Sequence, residues 1–220
     1  MRIAATFLIG SLLLSVPALA EDYGQANGPD GDYDWSGYYV GIQAGGFFNA
    51  SRWSGAFTTF NTNGSSLLIG GQAGYLRQFD NNWVLGIEAE LSGASLSATG
   101  QCSTSVGTVC RTRQNWIAAA RGRVGRAFDR LQIYGTAGVA FTDYRFDQTL
   151  GVIQSWDDGT RVGWTAGLGV EYAVTSKWSA GVEWKHYDFG TKTGQSNLGV
   201  FPINFRETSD HFVARINYRF

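Results

Sequence analysis

The feature that most constrains this chain is a two-residue alternation that recurs eight times between Tyr38 and Phe220. Apolar side chains take one parity and polar or small ones the other, the pattern of β-strands with two unlike faces. The segments are Tyr38–Phe48, Leu67–Gln78, Trp83–Ser92, Trp116–Phe128, Leu131–Thr142, Val162–Val174, Trp178–Phe189 and Phe212–Phe220. In the sixth, for example, Val162, Trp164, Ala166, Leu168, Val170 and Tyr172 share a face. The opposite parity carries Gln43, Gln72, Glu88, Glu90, Arg121, Arg123, Thr136, Thr165, Glu171, Glu183, Lys185, Arg215, Asn217 and Arg219, with glycines between them.

A soluble sandwich would bury the apolar parity and wet the polar one. Three features oppose that arrangement. The segments run to about ten residues or more, against a usual strand of about 5–6, and a tilted strand of about ten residues is what a bilayer core requires. The connections alternate between short, around 80–82, 129–130 and 175–177, and long, near 49–66, 93–115, 143–161 and 190–211; transmembrane barrels have tight periplasmic turns opposite long outer loops. Aromatic residues stand at segment ends on the apolar parity, among them Tyr38, Phe48, Trp83, Trp116, Phe128, Trp164, Trp178 and Phe212, as in the interfacial girdles of a lipid-facing band. Pro29 and Pro202 both fall outside the segments, as a closed ladder that needs every N–H demands. The expected fold is all-β: an eight-stranded antiparallel transmembrane up-and-down β-barrel over 35–220. The even strand count puts both of its ends on the periplasmic side.

Composition closes off other classes. Seventeen Lys+Arg stand against 18 Asp+Glu, which leaves no basic excess for nucleic acid. Aromatics make up 15% of the chain, which opposes disorder. No apolar run of about 18 residues follows the N-terminus, so no helical span is expected. At the N-terminus itself, Met1-Arg2 precedes an apolar stretch from Ile3 to Val16 and the small-x-small triplet Ala18-Leu19-Ala20. This is the pattern of a signal peptide, residues 1–20, cleaved after Ala20. The acidic, Gly- and Pro-bearing 21–34 reads as a flexible periplasmic tail. Cys102 and Cys110 are separated by seven residues; in an oxidising compartment such an isolated pair reads as a local disulfide. No His or Asp close by offers a metal site instead.

Several motifs then converge on a known family. Trp35-Ser-Gly-Tyr-Tyr-Val-Gly opens the first segment, and Gly163-Trp-Thr-Ala-Gly-Leu-Gly-Val-Glu-Tyr-Ala-Val-Thr-Ser-Lys-Trp-Ser-Ala spans the sixth, its turn and the seventh. Asp188-Phe-Gly closes the seventh and Ile216-Asn-Tyr-Arg-Phe ends the chain. From Trp35 to Phe220 the sequence resembles the small OmpA-like outer-membrane β-barrel family, in particular the immunogenic surface proteins of alphaproteobacteria. The resemblance implies an outer-membrane protein of a Gram-negative cell, an envelope or surface-antigen role, and no catalytic motif or cofactor. It also implies that Tyr218 and the terminal Phe220 serve as the signal read by the barrel assembly machinery. A few relatives of this kind bind haemin or form small pores. The acidic tail and the cysteine pair have no counterpart in the family pattern.

Eight strands enclose a lumen just wide enough for side chains to fill. The inward charges nearly balance: Glu88, Glu90, Glu171 and Glu183 against Arg121, Arg123, Lys185, Arg215 and Arg219. Levelling Trp83 with Phe128 predicts Glu88 opposite Arg123 and Glu90 opposite Arg121. Levelling Trp178 with Phe220 predicts Glu183 opposite Arg215. Such pairs would plug the lumen, because Arg forks suit carboxylates and unpaired charges in a narrow lumen are costly. The same residues could instead line a narrow porin-like channel. Surface capture of a ligand such as haemin, or of a host molecule, is a further alternative, since the long loops carry Trp53, Phe57, Phe60, Trp156 and Phe201, with Tyr144 and His211 as iron ligands. Hydrolysis is disfavoured: His186 lies on the outward parity and His211 on the inward, with no serine motif beside either. The glycines occur without a strand-turn-helix context and are not phosphate loops. The partners expected are outer-membrane lipid and lipopolysaccharide around a monomer, and no nucleic acid.

Overall fold

The structure, a computed structural model, describes residues 33–54, 59–101, 108–150, 153–194 and 203–220. Eight strands follow one another: β1 (Gly37–Ser54), β2 (Thr59–Gln78), β3 (Trp83–Gln101), β4 (Thr108–Phe128), β5 (Leu131–Leu150), β6 (Ile153–Ala173), β7 (Trp178–Gly194) and β8 (Ile203–Arg219). Each pairs antiparallel with its sequence neighbour, and β8 pairs with β1 to close the barrel. Closure removes every sheet edge, so the backbone polar groups satisfy one another without water.

Alternation governs the side chains along each strand. Ile42, Ile69, Ile87, Leu168 and Val182 are all more than 60% exposed on the outer surface. On the opposite parity Gln43, Gln72, Glu88, Glu183 and Arg215 are buried within. The molecule is therefore apolar outside and polar inside, the reverse of a soluble domain and what lipid selects. Tyr38 and Phe48 mark the two ends of the apolar band on β1, and both are exposed. The ten residue steps from one to the other, at about 3.3 Å each and a tilt near 45°, span roughly 25 Å of bilayer.

The strands reach further than the sequence pattern marks, to between 17 and 21 residues each. Alternation of hydrophobicity reports only the stretch that lies in lipid. Above it the ladder continues among polar residues that leave no periodic signal. The register breaks where this happens: between Gly93 and Leu96 on β3, Arg113 and Ile117 on β4, and Asp188 and Thr191 on β7. Irregularities of this kind bend and twist a strand locally.

The inner turns are short and polar. Asn82 and Asp129 take positive φ, 62° and 53°, a conformation that Asn and Asp tolerate better than other side chains. Beneath the barrel, Tyr33 and Trp35 tuck under the periplasmic mouth. Trp35 is fully buried; its indole Nε1 donates to the Asp129 carbonyl at 3.0 Å, and its backbone N–H to Gln78 Oε1 at 2.9 Å. The Tyr33 hydroxyl donates to the Ser176 carbonyl at 3.0 Å. Tyr33 and Asp34, at the end of the stretch that the sequence suggests is a tail, thus belong to the folded body. The rest of that stretch, and 1–20, lie outside the described residues.

Candidate functional site

The barrel interior is filled by a connected set of charges that β3, β4, β6, β7 and β8 aim inward. At its centre Arg121 on β4 bonds three carboxylates: Glu88, Glu90 at 3.0 Å and Glu183 at 2.7 Å. Arg215 on β8 faces it from across the lumen and bonds Glu88 and, at 2.5 Å, Glu183. Two guanidinium groups and two shared carboxylates thus form a closed ring. Tyr39 donates to Glu88 at 2.5 Å and Thr136 to Glu183 at 3.1 Å, filling further lone pairs.

Two further layers flank this ring. On the outer side Lys185 Nζ lies 2.6 Å from both Glu90 and Gln43 Oε1, and the Tyr187 hydroxyl donates to Glu90 at 2.5 Å. On the periplasmic side Arg123 meets Glu171 at 2.6 Å and the Gln132 side chain. Glu171 also accepts from Ser179 at 2.5 Å and Asn217 at 2.8 Å. The Arg123 guanidinium lies 3.5 Å from the centre of the Tyr134 ring, a cation–π contact. Four carboxylates and four cations make up these three layers, and all eight residues are buried. Towards the outer rim Arg161 bonds Glu207 at 3.4 Å. At the inner mouth Arg219 lies 4.8 Å over the Trp35 ring.

The expected inward residues are therefore brought together, though not all in the expected pairs. Glu90–Arg121 and Glu183–Arg215 form as ion pairs. Glu88–Arg123 does not: Glu88 bonds Arg121 and Arg215, while Arg123 turns to Glu171. The cause is stagger. Trp83 levels with Arg126 and not with Phe128, and Trp178 with Tyr218 and not with Phe220. Closing a sheet into a barrel displaces each strand along its neighbour, so strand ends are not level and pairs taken from the rim are off by two residues. Glu183 reaches Arg215 even so, because Arg215 levels with Gly181 and long side chains bridge a two-residue diagonal.

The sequence points to tyrosines on the inward parity with glycines making room for them, but not to which tyrosines or to their partners. Tyr39, Tyr134 and Tyr187 are almost fully buried and each meets a lumen charge. Their inward parity was readable, but nothing in the sequence says that a tyrosine on a half-polar strand will turn its hydroxyl to a carboxylate. The inward glycines make room for them: a Cβ on Gly169 would run into the Tyr134 ring, and one on Gly74 into Tyr39.

The two histidines sit on opposite faces, as their parity predicts. His186 lies outside between the rings of Trp164 and Trp184, at 5.5 and 6.4 Å, with Nδ1 3.0 Å from Asp210. His211 is buried against Phe47 and Tyr187, at 4.7 and 4.4 Å. Ser209 Oγ does reach His211 Nε2, at 3.2 Å. Residues two apart on a strand share a face, whereas Asp210 between them turns outward, so no Ser–His–Asp arrangement results. The side chains of Trp53, Phe57, Phe60, Tyr144, Trp156 and Phe201 lie outside the described residues, as do those of Cys102 and Cys110.

This geometry, apolar outside with a charge-filled lumen inside a closed eight-stranded wall, defines an outer-membrane β-barrel. The chain belongs to the outer membrane protein β-barrel domain family, whose pattern it matches over residues 6–220. It is 30% identical to the 31 kDa outer-membrane immunogenic protein of Brucella melitensis, a match covering 99% of this chain and 97% of that one. It is 28% identical to the 22 kDa outer membrane protein of Rhizobium leguminosarum, covering 80% and 74% respectively. Among solved structures it is similar to the outer membrane protein OprG of Pseudomonas aeruginosa, with TM-score 0.50, 14% identity and coverage of 86% and 98%. The outer membrane protease OmpT of Escherichia coli is similar in fold at TM-score 0.51, with 9% identity and coverage of 84% and 97%. The outer membrane is thus the location of this protein.

Proposed function

We propose that this protein is a non-enzymatic structural and surface-exposed component of the outer membrane, with a lumen closed to solutes. The observation that carries the reading is the ring Arg121–Glu88–Arg215–Glu183, which ties β3, β4, β7 and β8 across the barrel axis. An ion entering this lumen would have to displace charge-assisted hydrogen bonds between fully buried groups. Function then lies at the surfaces, in contacts with lipid and in the outer loops, as the immunogenic relatives suggest. Export by a signal peptide ending at Ala20, a Cys102–Cys110 bridge and an assembly signal at Tyr218 and Phe220 belong to the same reading.

The test is conductance of the refolded mature protein in a planar bilayer, with folding shown by heat-shifted gel migration. The expected result is a silent membrane containing folded barrels. Reproducible open levels would overturn the plugged lumen and make the protein a narrow porin.

A further inference from the structure

The outer surface of the barrel carries charge at two depths, and the two are unlike. At the outer rim the charged side chains are Asp143, Arg206 and Asp210, with Asp188 buried beside them. Asp188 is paired with Arg206 at 2.6 Å, and Asp143 accepts the Asn115 and Trp116 backbone N–H groups, each at 3.0 Å. At the inner rim they are Arg77 on β2 and Arg126 on β4, both exposed, and neither has an ion-pair partner among the described residues. Each lies near its own strand-end ring, Arg77 5.9 Å from Phe79 and Arg126 5.7 Å from Phe128.

Trp83 on β3 stands between them. It levels with Arg126 on one side, and on the other its outward neighbour Leu85 levels with Arg77. Trp83 is 45% exposed and Leu85 46%. Arg77, Phe79, Asp80, Trp83 and Leu85 line an open concavity of about 620 Å³ on this face. Two strand steps and a two-residue offset place the arginine backbones roughly 12 Å apart, so both long side chains can converge on one group above Trp83. From there Leu85, Ile87 and Val124 continue the apolar surface towards the bilayer centre.

We propose that Arg77, Trp83 and Arg126 form a binding site for the headgroup of an anionic phospholipid in the periplasmic leaflet. The phosphodiester would be held by the two guanidinium forks, which suit phosphate oxygens. The glycerol region would lie against the Trp83 indole at the interface, where tryptophan settles, and the acyl chains along Leu85 and Ile87. Simple snorkelling accounts for a lone arginine at such a depth; two flanking one tryptophan, Arg77 lining the concavity and Arg126 level with Trp83 on its other side, form a recognition surface. Asp80 lines the turn-ward edge of the same concavity, on the side away from Leu85.

The test uses the refolded mature protein in mixed micelles of neutral detergent with phosphatidylglycerol or phosphatidylcholine, read by native mass spectrometry. Phosphatidylglycerol should be retained in preference. The double variant R77Q/R126Q should lose that preference, by about fivefold per arginine, while R77K/R126K keeps part of it. An unchanged preference in R77Q/R126Q would overturn the site. So would displacement of the lipid by millimolar glycerol 3-phosphate, which would mean a free-phosphate site. Brominated phosphatidylglycerol should also quench the tryptophan fluorescence of the unaltered protein more than brominated phosphatidylcholine does. Equal quenching counts against the proposal without any variant having to fold.

Discussion

At the scale of single residues, the lumen is a set of shared bonds, so removing one member leaves others without partners. Glu183 accepts from both Arg121 and Arg215. Glu183→Ala should lower the unfolding free energy by about 3–5 kcal/mol, the usual effect of leaving a buried charge uncompensated. An unchanged midpoint in urea would show that the pair contributes nothing. Tyr134 separates two contributions. Its ring lies against Arg123 at 3.5 Å, and its hydroxyl accepts from Arg215 at 3.2 Å. Tyr134→Phe keeps the ring contact and should cost about 1 kcal/mol. Tyr134→Leu loses both, and should cost about 2 kcal/mol more. Equal midpoints for the two variants would mean that the ring contact is worth nothing.

At the scale of the strand, parity decides what a small residue does. Gly138 faces inward, where an added Cβ would collide with the Ala120 carbonyl and come within 2.7 Å of Arg121 Cα. Gly122 faces lipid, where the nearest atom to an added Cβ is the Ala137 carbonyl at 3.8 Å. Gly138→Ala should therefore abolish or sharply reduce the heat-shifted folded band, and Gly122→Ala should leave it intact. The reverse ranking would mean that the two faces are exchanged. The same parity is why the strands, the inward charges and the lipid-facing aromatics were legible from the sequence: a period of two is written residue by residue. Register was not legible, because stagger between strands is a property of closure and no local pattern records it. That is why the sequence pattern pairs Glu88 with Arg123 whereas the structure pairs it with Arg121. The strand extensions beyond Phe48 or Thr142 were silent for a different reason. Out of the membrane, neither face has to be apolar.

At the scale of the molecule, side chains occupy the lumen at more than one level. Trp35 and Tyr33 cover the periplasmic mouth with Arg219 over both rings, at 4.8 and 5.5 Å, and three charged layers lie above them. Trp35→Ala should lower stability by about 3–5 kcal/mol, the usual effect of deleting a buried tryptophan, and still leave the bilayer silent, because the Arg–Glu ring is untouched. Steady conductance in that variant would mean that the mouth, and not the ring, is the barrier.

The seam between the first and last strands sets a condition on the chain as a whole. β1 finds its second partner only in β8, with Ile42 level with Ile216 and the Phe220 N–H donating to the Tyr38 carbonyl. A polypeptide that stops short of residue 203 is therefore not a smaller version of this protein. It is an open ribbon with two unsatisfied margins, and hydrocarbon offers nothing to bond them. Insertion is consequently a threshold event in length. The earliest part of the chain to be delivered must wait for the last, and a frameshift or premature stop before residue 203 leaves the wall open.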